Sequence, residues 1–307
     1  MQAFEVRWFM AGTNWGNFWQ PVVRLLINEA ELNQIHGQID WQQETSHFTD
    51  PQIIYPKYYE QQNFLGMAGG YLESRTAVAY DRLTPYLLPP HEHLIRQGLL
   101  DRIGGIPQRI LDMGCGTGST TLLLQQKFPQ ASITGLDLSP SMLVMAHQKA
   151  KATSLKIHWQ HSSAEYTGFP SGYFDLITIS LLFHETPIPA TQAIIKECFR
   201  LLKGGGQVVI LDSSQQLLRQ IEWFAKAFPE VVPEIFPETY MQNVKNYAAG
   251  SLDAWLGAAG FGEVRTHDLW LVHQVTSGGK PQSAKDRWAY PGMEINDFND
   301  FLGGFAT

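Results

Sequence analysis

The 307-residue sequence predicts an α/β protein built on a doubly wound, mostly parallel sheet, and two features of the chain predict it. First, from residue 106 onward, short apolar runs alternate with segments of helical periodicity, as in parallel strands joined by crossover helices. Second, the apolar pair Ile110-Leu111 leads through Asp112 into glycines at alternate positions and then into a helical segment. A strand, a glycine turn and a helix N-terminus together form a site where a polar ligand can approach the backbone.

The chain divides into three segments by composition and pattern. Residues 1–104 are rich in aromatic side chains and are predicted to form a mainly helical cap. The sheet domain is predicted over residues 105–276, with a Gln-, Phe- and Pro-rich insertion at 215–250 that would complete a substrate pocket. Residues 277–307 lose the alternation of strands and helices and are predicted to be a C-terminal tail.

Within the cap, apolar periodicity predicts a helix over residues 22–32. Further helices are predicted over residues 74–88 and 91–103. The first of these two should end before Pro89, because proline disfavours a helical conformation in the residue that precedes it. The polar stretch over residues 40–49 is predicted to be a loop.

Composition describes a globular protein with a sizeable core, since 44% of the residues are hydrophobic and 17% are charged. The net charge of −7, without a dense Lys/Arg face, argues against nucleic acid as a partner. Two cysteines, Cys115 and Cys198, do not suggest a disulfide framework. There is no basic-then-apolar N-terminal signal and no apolar run near 18 residues, so a cytoplasmic protein without a membrane span is expected.

The glycine turn itself discriminates between ligands. A dinucleotide fingerprint, Gly-x-Gly-x-x-Gly, would require glycine in place of Ser119 or Thr121, and neither register is satisfied. A carboxylate at Asp112 would also repel a pyrophosphate. An acidic strand end instead suits a ligand that carries positive charge, such as S-adenosylmethionine, which has an ammonium, a sulfonium and no phosphate.

The Asp-x-Gly-x-Gly-x-Gly spacing of residues 112–118 resembles the first motif of the class I S-adenosylmethionine-dependent methyltransferases. Later segments resemble further motifs of that family in the same order: residues 131–139, 163–165, 174–185 and 201–212. The likeness is greatest to the ubiquinone/menaquinone-biosynthesis type of small-molecule methyltransferase. It implies a Rossmann-like, seven-stranded sheet and in-line methyl transfer to oxygen, carbon or nitrogen of a small, apolar or aromatic acceptor.

The resemblance also implies a set of residues that contact S-adenosylmethionine: Asp112, Gly114, Cys115, Gly116, Gly118, Asp137, Leu138, Met142, Ser163, Ala164, Glu165, Ser180 and Tyr80. In this family the Asp137 position accepts both ribose hydroxyls and the Met142 position packs on the adenine. Most relatives have aspartate where this chain has Ser163, so backbone groups are expected to replace one hydrogen bond to the adenine. Cys115 is expected to contribute packing and its backbone rather than a nucleophile.

Candidates for the chemistry follow the fourth predicted strand. His184 would lie at the rim of the sheet, where an imidazole can remove a proton from a phenol, a hydroxyl or an enol-like carbon. Its alternative role is a hydrogen bond to the loop alone. Glu185 would orient the imidazole, bind a substrate cation or be a solvated carboxylate. Core packing is favoured for Tyr58 and Tyr59. The candidate acceptor contacts are aromatic: Tyr71, Phe183, Phe224 and Tyr240.

The role of the cap and the class of reaction stay open in the sequence. The cap either closes over the acceptor as a lid, with the Tyr80-Asp81 step near the cofactor, or covers the sheet or mediates a homodimer. His91 and His93 lack a third ligand nearby, so no metal site is predicted. Besides a small-molecule methyltransferase, the sequence is compatible with a catalytically silent binder of S-adenosylmethionine or S-adenosylhomocysteine, and with a protein or peptide methyltransferase.

Overall fold

The computed structural model describes residues 28–60, 70–88, 90–220 and 238–282. Its strands are β1 Arg109–Met113, β2 Ser132–Asp137, β3 His158–His161, β4 Phe174–Ser180, β5 Leu202–Ser213, β6 Gly262–Leu269 and β7 His273–Gly279. Its helices include α1 Glu29–Gly37, α2 Trp41–Phe48, α3 Lys57–Glu60, α4 Ser74–Leu87, α5 Glu92–Leu100, α6 Ser119–Lys127, α7 Pro140–Ala152, α8 Ile188–Leu201, α9 Glu238–Ala249 and α10 Leu252–Ala259. Short 3-10 turns lie at Gly70–Leu72 and Phe183–Glu185.

The described strands form a seven-stranded sheet in the order β3-β2-β1-β4-β5-β7-β6. Strands β1 to β5 pair with one another in parallel, whereas β7 is antiparallel to both β5 and β6. The chain order therefore reverses between β1 and β4. The carboxyl ends of these strands meet at one edge, which is where open α/β sheets bind ligands. The predicted doubly wound, mostly parallel sheet of seven strands is confirmed.

The central strands are apolar on both sides because helices cover both faces of the sheet. Leu111 of β1 packs in a cluster with Ile194 of α8 and Leu256 of α10. Its neighbour Ile110 points to the other face and packs in a second cluster with Leu124 of α6. Successive side chains of a strand alternate between faces. Burial on both faces therefore explains why the strand reads as a continuous apolar run.

The cap differs from the sequence-based prediction at several elements. Helix α1 continues to Gly37, five residues beyond the predicted end at residue 32. Residues 40–49, predicted as a loop, contain helix α2. The Asp40 side chain caps this helix by accepting a hydrogen bond from the Gln43 amide at 3.1 Å. Helix α2 buries none of its residues fully, so it lacks the strong apolar stripe by which a helix is recognised in sequence.

Helices α4 and α5 confirm the helices predicted over residues 74–88 and 91–103, although α5 ends three residues before the predicted limit, at Leu100. His91 caps α5, because its Nδ1 accepts a hydrogen bond from the His93 amide at 3.2 Å. The His91 side chain thus has a structural role at the N-terminus of this helix.

Several predictions lie outside the described residues. They concern residues 22–27 of the first predicted helix, residues 283–307 of the predicted tail and Phe224 of the insertion. The division of the chain into three segments stays a prediction. Within the part of the chain that the structure describes, no helix has the length and apolar character needed to cross a membrane.

A cluster of polar side chains fixes helix α4 to the glycine turn of the sheet domain. Asp81 accepts hydrogen bonds from Lys149 Nζ at 2.9 Å and from the Thr117 hydroxyl. Lys149 also donates to the Ser119 hydroxyl at 3.1 Å. Because Tyr80 precedes Asp81 in α4, this cluster sets the position of Tyr80 relative to the turn.

His161 holds the segment between α2 and α3 at the end of β3. Its Nδ1 accepts a hydrogen bond from the Asp50 amide at 3.0 Å, and its Nε2 lies 3.0 Å from the Leu138 carbonyl oxygen. The ring proton is therefore on Nε2 and is donated to this carbonyl. The Tyr55 hydroxyl lies 3.2 Å from the same nitrogen. The cap is thus anchored to the carboxyl edge of the sheet at two separate places.

Substitution of Gly135 in β2 tests the packing between the sheet and the cofactor turn. A β-carbon at this position would lie 2.4 Å from the Trp159 ring and 3.1 Å from Cys115 Sγ. Trp159 is buried, so the ring has little room to shift. We expect Gly135→Ala to lower the free energy of unfolding by about 1–3 kcal/mol, the range for overpacked cores, as measured by urea denaturation.

Gly257→Ala in α10 is the matched control, because a β-carbon there would meet nothing within 4 Å. It should raise the free energy of unfolding by about 0.5–1 kcal/mol, since alanine favours the helix over glycine. A Gly135→Ala protein as stable as wild type would contradict the close contact with Trp159.

Candidate active site

A cavity of about 90 Å³ lies at the carboxyl edge of the sheet, where the chain order reverses. Its walls come from three sources: the ends of the central strands, the glycine turn after β1 and the N-terminal segment. The sequence-based cofactor contacts that line it are Gly114, Gly116, Asp137, Leu138, Met142, Ser163, Ala164, Glu165, Ser180 and Tyr80. The structure therefore brings together residues that lie up to 100 positions apart in sequence.

The glycine turn needs glycine for conformation and for space. Gly114 and Gly118 have φ angles of +66° and +77°, in the left-handed region that favours glycine. A β-carbon at Gly118 would also lie 2.7 Å from the Trp159 ring. Without side chains, the backbone at Gly114 and Gly116 faces the cavity.

Asp137 is the last residue of β2 and lies at the cavity wall, largely buried. Its Oδ2 accepts a hydrogen bond from the Gly116 amide at 2.7 Å, and its Oδ1 accepts one from the Ser139 amide at 2.8 Å. Burial raises the pKa of this carboxyl to about 6, although the amide hydrogen bonds oppose the rise. The carboxylate is therefore ionised at neutral pH and keeps lone pairs for a ligand with two hydroxyl donors.

Asp112 lies behind the glycine turn and is 1% exposed. Its two carboxylate oxygens accept hydrogen bonds from the hydroxyls of Thr178 and Thr121, at 2.7 and 2.6 Å. Burial raises the pKa of Asp112, and the two hydroxyls oppose that effect. Asp112 thus links β1, β4 and α6 and does not itself line the cavity.

The start of α7 and the turn after β3 form a second part of the cavity wall. Met142 is buried at the start of α7, where the Ser139 hydroxyl caps the helix by accepting a hydrogen bond from the Met142 amide at 3.1 Å. The Ser163 hydroxyl accepts a hydrogen bond from the Glu165 amide at 3.2 Å, and Glu165 accepts one from the Tyr58 hydroxyl at 2.9 Å. Ser163 therefore shapes the turn itself.

Tyrosines of the N-terminal segment line the cavity at Tyr58, Tyr59, Tyr71 and Tyr80. Tyr59 and Tyr71 stack with ring centroids 6.3 Å apart, and Tyr71 and Tyr80 meet edge to face at 6.2 Å. The Tyr71 hydroxyl donates a hydrogen bond to Glu185 at 2.7 Å. Burial raises the pKa of Tyr59 well above its usual value, so its hydroxyl stays protonated.

His184 and Glu185 lie in the 3-10 turn that follows β4. His184 Nδ1 donates a hydrogen bond to Asp212 Oδ1 at 2.6 Å, and His184 Nε2 lies 3.7 Å from Glu185 Oε1. Although burial lowers the pKa of His184, the Asp212 carboxylate raises it to about 9. Glu185 lines the cavity, with His184 behind it. The Asp212 carboxylate therefore favours the protonated form of the imidazole, and the role of His184 as a general base stays a prediction.

The electrostatics of the cavity favour a positively charged ligand. Among the described residues that line it are the carboxylates of Asp137, Glu165 and Glu185, but no lysine, arginine or histidine. Such a wall repels phosphate and attracts cations. The π faces of the tyrosines have the same preference. These residues fit S-adenosylmethionine, which carries an ammonium and a sulfonium, and do not fit a dinucleotide.

Other predicted site residues lie elsewhere. Cys115 and Gly118 belong to the turn but pack against the Trp159 side, away from the cavity. Phe183, predicted to contact the acceptor, is fully buried in the core cluster that includes residues of α8, where its apolar ring is removed from water. Phe224 and the side chain of Tyr240 lie outside the described part of the structure.

The sequence analysis did not identify Tyr58, Tyr59 and Asp212 as site residues. Core packing was favoured for the two tyrosines, yet both line the cavity. Their only signal was their place in an aromatic-rich segment before the sheet domain. Asp212 had a clearer signal, because it stands near the carboxyl end of a predicted strand, the edge at which such sheets bind ligands.

Comparison with known proteins agrees with this site. The methyltransferase domain family matches residues 110–206. A demethylmenaquinone methyltransferase of Thermus thermophilus is 36% identical over 189 residues, which cover 62% of this chain and 76% of that relative. A demethylmenaquinone methyltransferase of Lactococcus lactis is 32% identical over 222 residues, which cover 66% of this chain and 87% of that relative.

Solved structures share the fold. Phosphoethanolamine N-methyltransferase 2 of Haemonchus contortus, in complex with S-adenosyl-L-methionine, matches with a TM-score of 0.51 and 15% identity over 71% of this chain and 62% of that chain. Human N-acetylserotonin methyltransferase matches with a TM-score of 0.50 and 15% identity over 69% of this chain and 57% of that chain. This chain thus spans less than two thirds of either solved chain.

The fold, the cavity and the relatives together define an enzyme whose cofactor is S-adenosylmethionine. The chain belongs to the class I S-adenosylmethionine-dependent methyltransferases, of the quinone-biosynthesis type. The resemblance found in the sequence is thereby confirmed, and the substrate is a small molecule.

The pKa of Asp137 implies that cofactor affinity depends on pH. Only the ionised carboxylate keeps lone pairs on both oxygens, beyond those used by the two backbone amides, for the hydroxyls of a ligand. Affinity for S-adenosylhomocysteine should therefore fall as the pH drops below about 6, by up to about tenfold per pH unit. Calorimetric titration at constant ionic strength measures this dependence. The Asp137→Asn variant should bind S-adenosylhomocysteine more weakly, with an affinity that no longer depends on pH. An equally steep pH dependence in this variant would mean that another group titrates.

Proposed function

We propose that this enzyme transfers the methyl group of S-adenosylmethionine to a small aromatic acceptor of the quinol type. The observation that carries the proposal is the make-up of the cavity, in which carboxylates and backbone groups adjoin a wall of stacked tyrosines. The relatives named as demethylmenaquinone methyltransferases support the same class of acceptor.

For the cofactor, we infer a position along the carboxyl ends of β1 and β2. Asp137 would accept the ribose hydroxyls, while Leu138 and Met142 would enclose the adenine. A β-carbon at Gly116 would meet nothing within 4 Å, which leaves room for a ligand against the turn. Tyr80, held by the polar cluster around Asp81, would present its ring to the sulfonium.

For the acceptor, the neighbouring part of the cavity offers apolar and aromatic surfaces. Leu182 and Ile194 lie on the sheet side, and Tyr59 and Tyr71 lie on the side of the N-terminal segment. Such surfaces suit the faces of a planar ring. Glu185 adds a carboxylate that can accept a hydrogen bond from a phenolic hydroxyl.

S-adenosylmethionine supplies a methyl group that its positive sulfur activates toward a nucleophile. Transfer forms a bond between this carbon and the acceptor atom while the sulfur–carbon bond breaks and its electron pair goes to sulfur. The acceptor also loses a proton, and Glu185 is the carboxylate that stands on the acceptor side to take it. The remaining wall residues hold the reactants in line and exclude water.

The N-terminal segment acts as a lid in this proposal. The cavity measures about 90 Å³, whereas sites for small molecules typically measure roughly 300–1,000 Å³. We infer that the tyrosines carried by α3 and by the turn at Gly70–Leu72 move outward to admit cofactor and acceptor, whereas α4 keeps its place on the glycine turn. Closure over both would then exclude water from the reacting atoms.

Turnover of a quinol tests the proposed reaction. The protein should methylate a short-chain demethylmenaquinone, kept in its reduced form, with S-adenosylmethionine but not without it, as detected by mass spectrometry. Gly116→Val should abolish cofactor binding and turnover, since its side chain would enter the cofactor space. Gly168→Val is the matched control, because Gly168 also has a positive φ and open space but lies outside the cavity wall. Cofactor binding without any turnover would favour the silent binder.

Hydrogen exchange tests the lid. Addition of S-adenosylhomocysteine should protect backbone amides in α3 and in the turn at Gly70–Leu72, because closure buries these segments over the ligand. Amides of α10, which packs on α8 and β6 and contributes no residue to the cavity wall, should keep their exchange rates and serve as an internal control. Protection confined to the glycine turn would contradict closure of the N-terminal segment.

A further inference from the structure

Asp212 is a fully buried carboxylate near the carboxyl end of β5. Its Oδ2 accepts a hydrogen bond from the Phe183 amide at 2.8 Å. Its Oδ1 accepts hydrogen bonds from the Ser213 amide at 2.7 Å and from His184 Nδ1 at 2.6 Å. A carboxylate removed from water needs such donors in order to stay ionised. The same bonds fix the turn after β4 and the orientation of the His184 ring.

The other nitrogen of His184 faces a second carboxylate. Nε2 lies 3.7 Å from Oε1 of Glu185, which lines the cavity and accepts a hydrogen bond from the Tyr71 hydroxyl. An imidazole with a carboxylate beside each nitrogen is most stable when both nitrogens carry protons, because each proton then faces negative charge.

Titratable groups of β7 and α9 also face the His184–Asp212 pair, and Arg96 of α5 faces the β7 group, His273. Burial lowers the pKa of His273 to about 4, so this histidine is neutral beside Asp212. Arg96 is buried, and its charge is matched by Glu92 at 2.7 Å. Tyr247 stays neutral because burial raises its pKa far above the usual value. None of these groups competes with His184 as the proton carrier between the two carboxylates.

From the N-terminal segment, Tyr59 and Tyr80 face Glu185, and burial raises the pKa of both, so both are neutral. Burial also raises the pKa of Glu185, whereas the His184 charge and the Tyr71 hydrogen bond lower it. Among the described groups that act on Glu185, His184 is thus the cation that favours its ionised form.

We propose that Asp212 is a positioning residue that holds His184 as an imidazolium, and that this cation keeps Glu185 ionised at the cavity wall. This assignment replaces the sequence-based hypothesis that His184 is itself the base. The consequence of an ionised Glu185 for methyl transfer rests on the proposed function. Ionised Glu185 takes the phenolic proton of the quinol and becomes a neutral acid, and the electron pair left on the acceptor forms the bond to the methyl carbon.

Nuclear magnetic resonance of the full chain tests these charges without an acceptor. The nitrogen-15 signals of His184, assigned by their loss in His184→Gln, should have the imidazolium pattern in wild type near neutral pH and the neutral pattern in Asp212→Asn. The carbon-13 carboxyl signal of Glu185 should titrate about 1–3 pH units higher in His184→Gln than in wild type, the usual effect of removing an adjacent opposite charge. His158→Gln, at an exposed residue of β3, should change neither signal.

Two results would overturn the proposal. One is a neutral His184 in the wild-type protein. The other is a Glu185 titration that does not respond to His184→Gln. Because this second comparison does not require Asp212→Asn, it stands even where that variant fails to fold.

Turnover measurements distinguish a failure of this assignment of Asp212 and His184 from a failure of the proposed function. With the reduced short-chain demethylmenaquinone, Glu185→Gln should lower kcat by about 10²-fold or more, with affinity for S-adenosylhomocysteine kept. Asp212→Asn and His184→Gln should lower kcat at neutral pH and regain it as the pH rises, since higher pH restores ionised Glu185. A loss of kcat that is equal at every pH would contradict the proposal that the charge of His184 keeps Glu185 ionised. No turnover by wild type would reject the quinol acceptor, while the titrations would still decide the roles of Asp212 and His184.

Discussion

In a parallel sheet the carboxyl ends of the strands lie at the same edge, and this constraint determines where the site lies. Because β1, β2, β4 and β5 run in one direction, the residues at their carboxyl ends share one edge of the sheet. The glycine turn, Asp137, Ser180 and Asp212 come to that edge from four different strands. The reversal of chain order between β1 and β4 opens the space between them, since the following connections leave toward opposite faces. The N-terminal segment then needs to supply only the outer wall.

The two ends of the cavity stabilise a buried negative charge by different means. Asp137 is held by backbone amides, which are rigid dipoles that a change of pH does not remove. Glu185 stands instead beside an imidazole whose own charge depends on another carboxylate. The first arrangement suits a group that only binds. The second suits a group whose protonation changes during a reaction, because its surroundings can respond to the proton.

How far the sequence predicted the structure depended on the distance between interacting residues. The glycine turn and Asp137 were predictable, since a turn and a strand end are local patterns with fixed spacing. Helix α2 was not, because it buries no residue fully and depends on a cap at Asp40. The places of Tyr59 and Phe183 were also not predictable. The sequence does not distinguish an aromatic residue that lines a cavity from one that fills a core, because the difference arises only from the tertiary packing.

The Trp159 ring occupies space that two glycines leave free, one in the cofactor turn and one in the neighbouring strand. Gly118, Gly135 and Trp159 are therefore not independent positions. In this chain a larger residue at Gly135 becomes acceptable only after the indole has been exchanged for something smaller, whereas Gly118 also needs glycine for its positive φ angle. A smaller residue at position 159 leaves a void until a neighbouring residue has become larger. Sequence divergence at these three sites should thus proceed in linked steps, and the order of those steps decides which intermediates keep a formed cofactor turn.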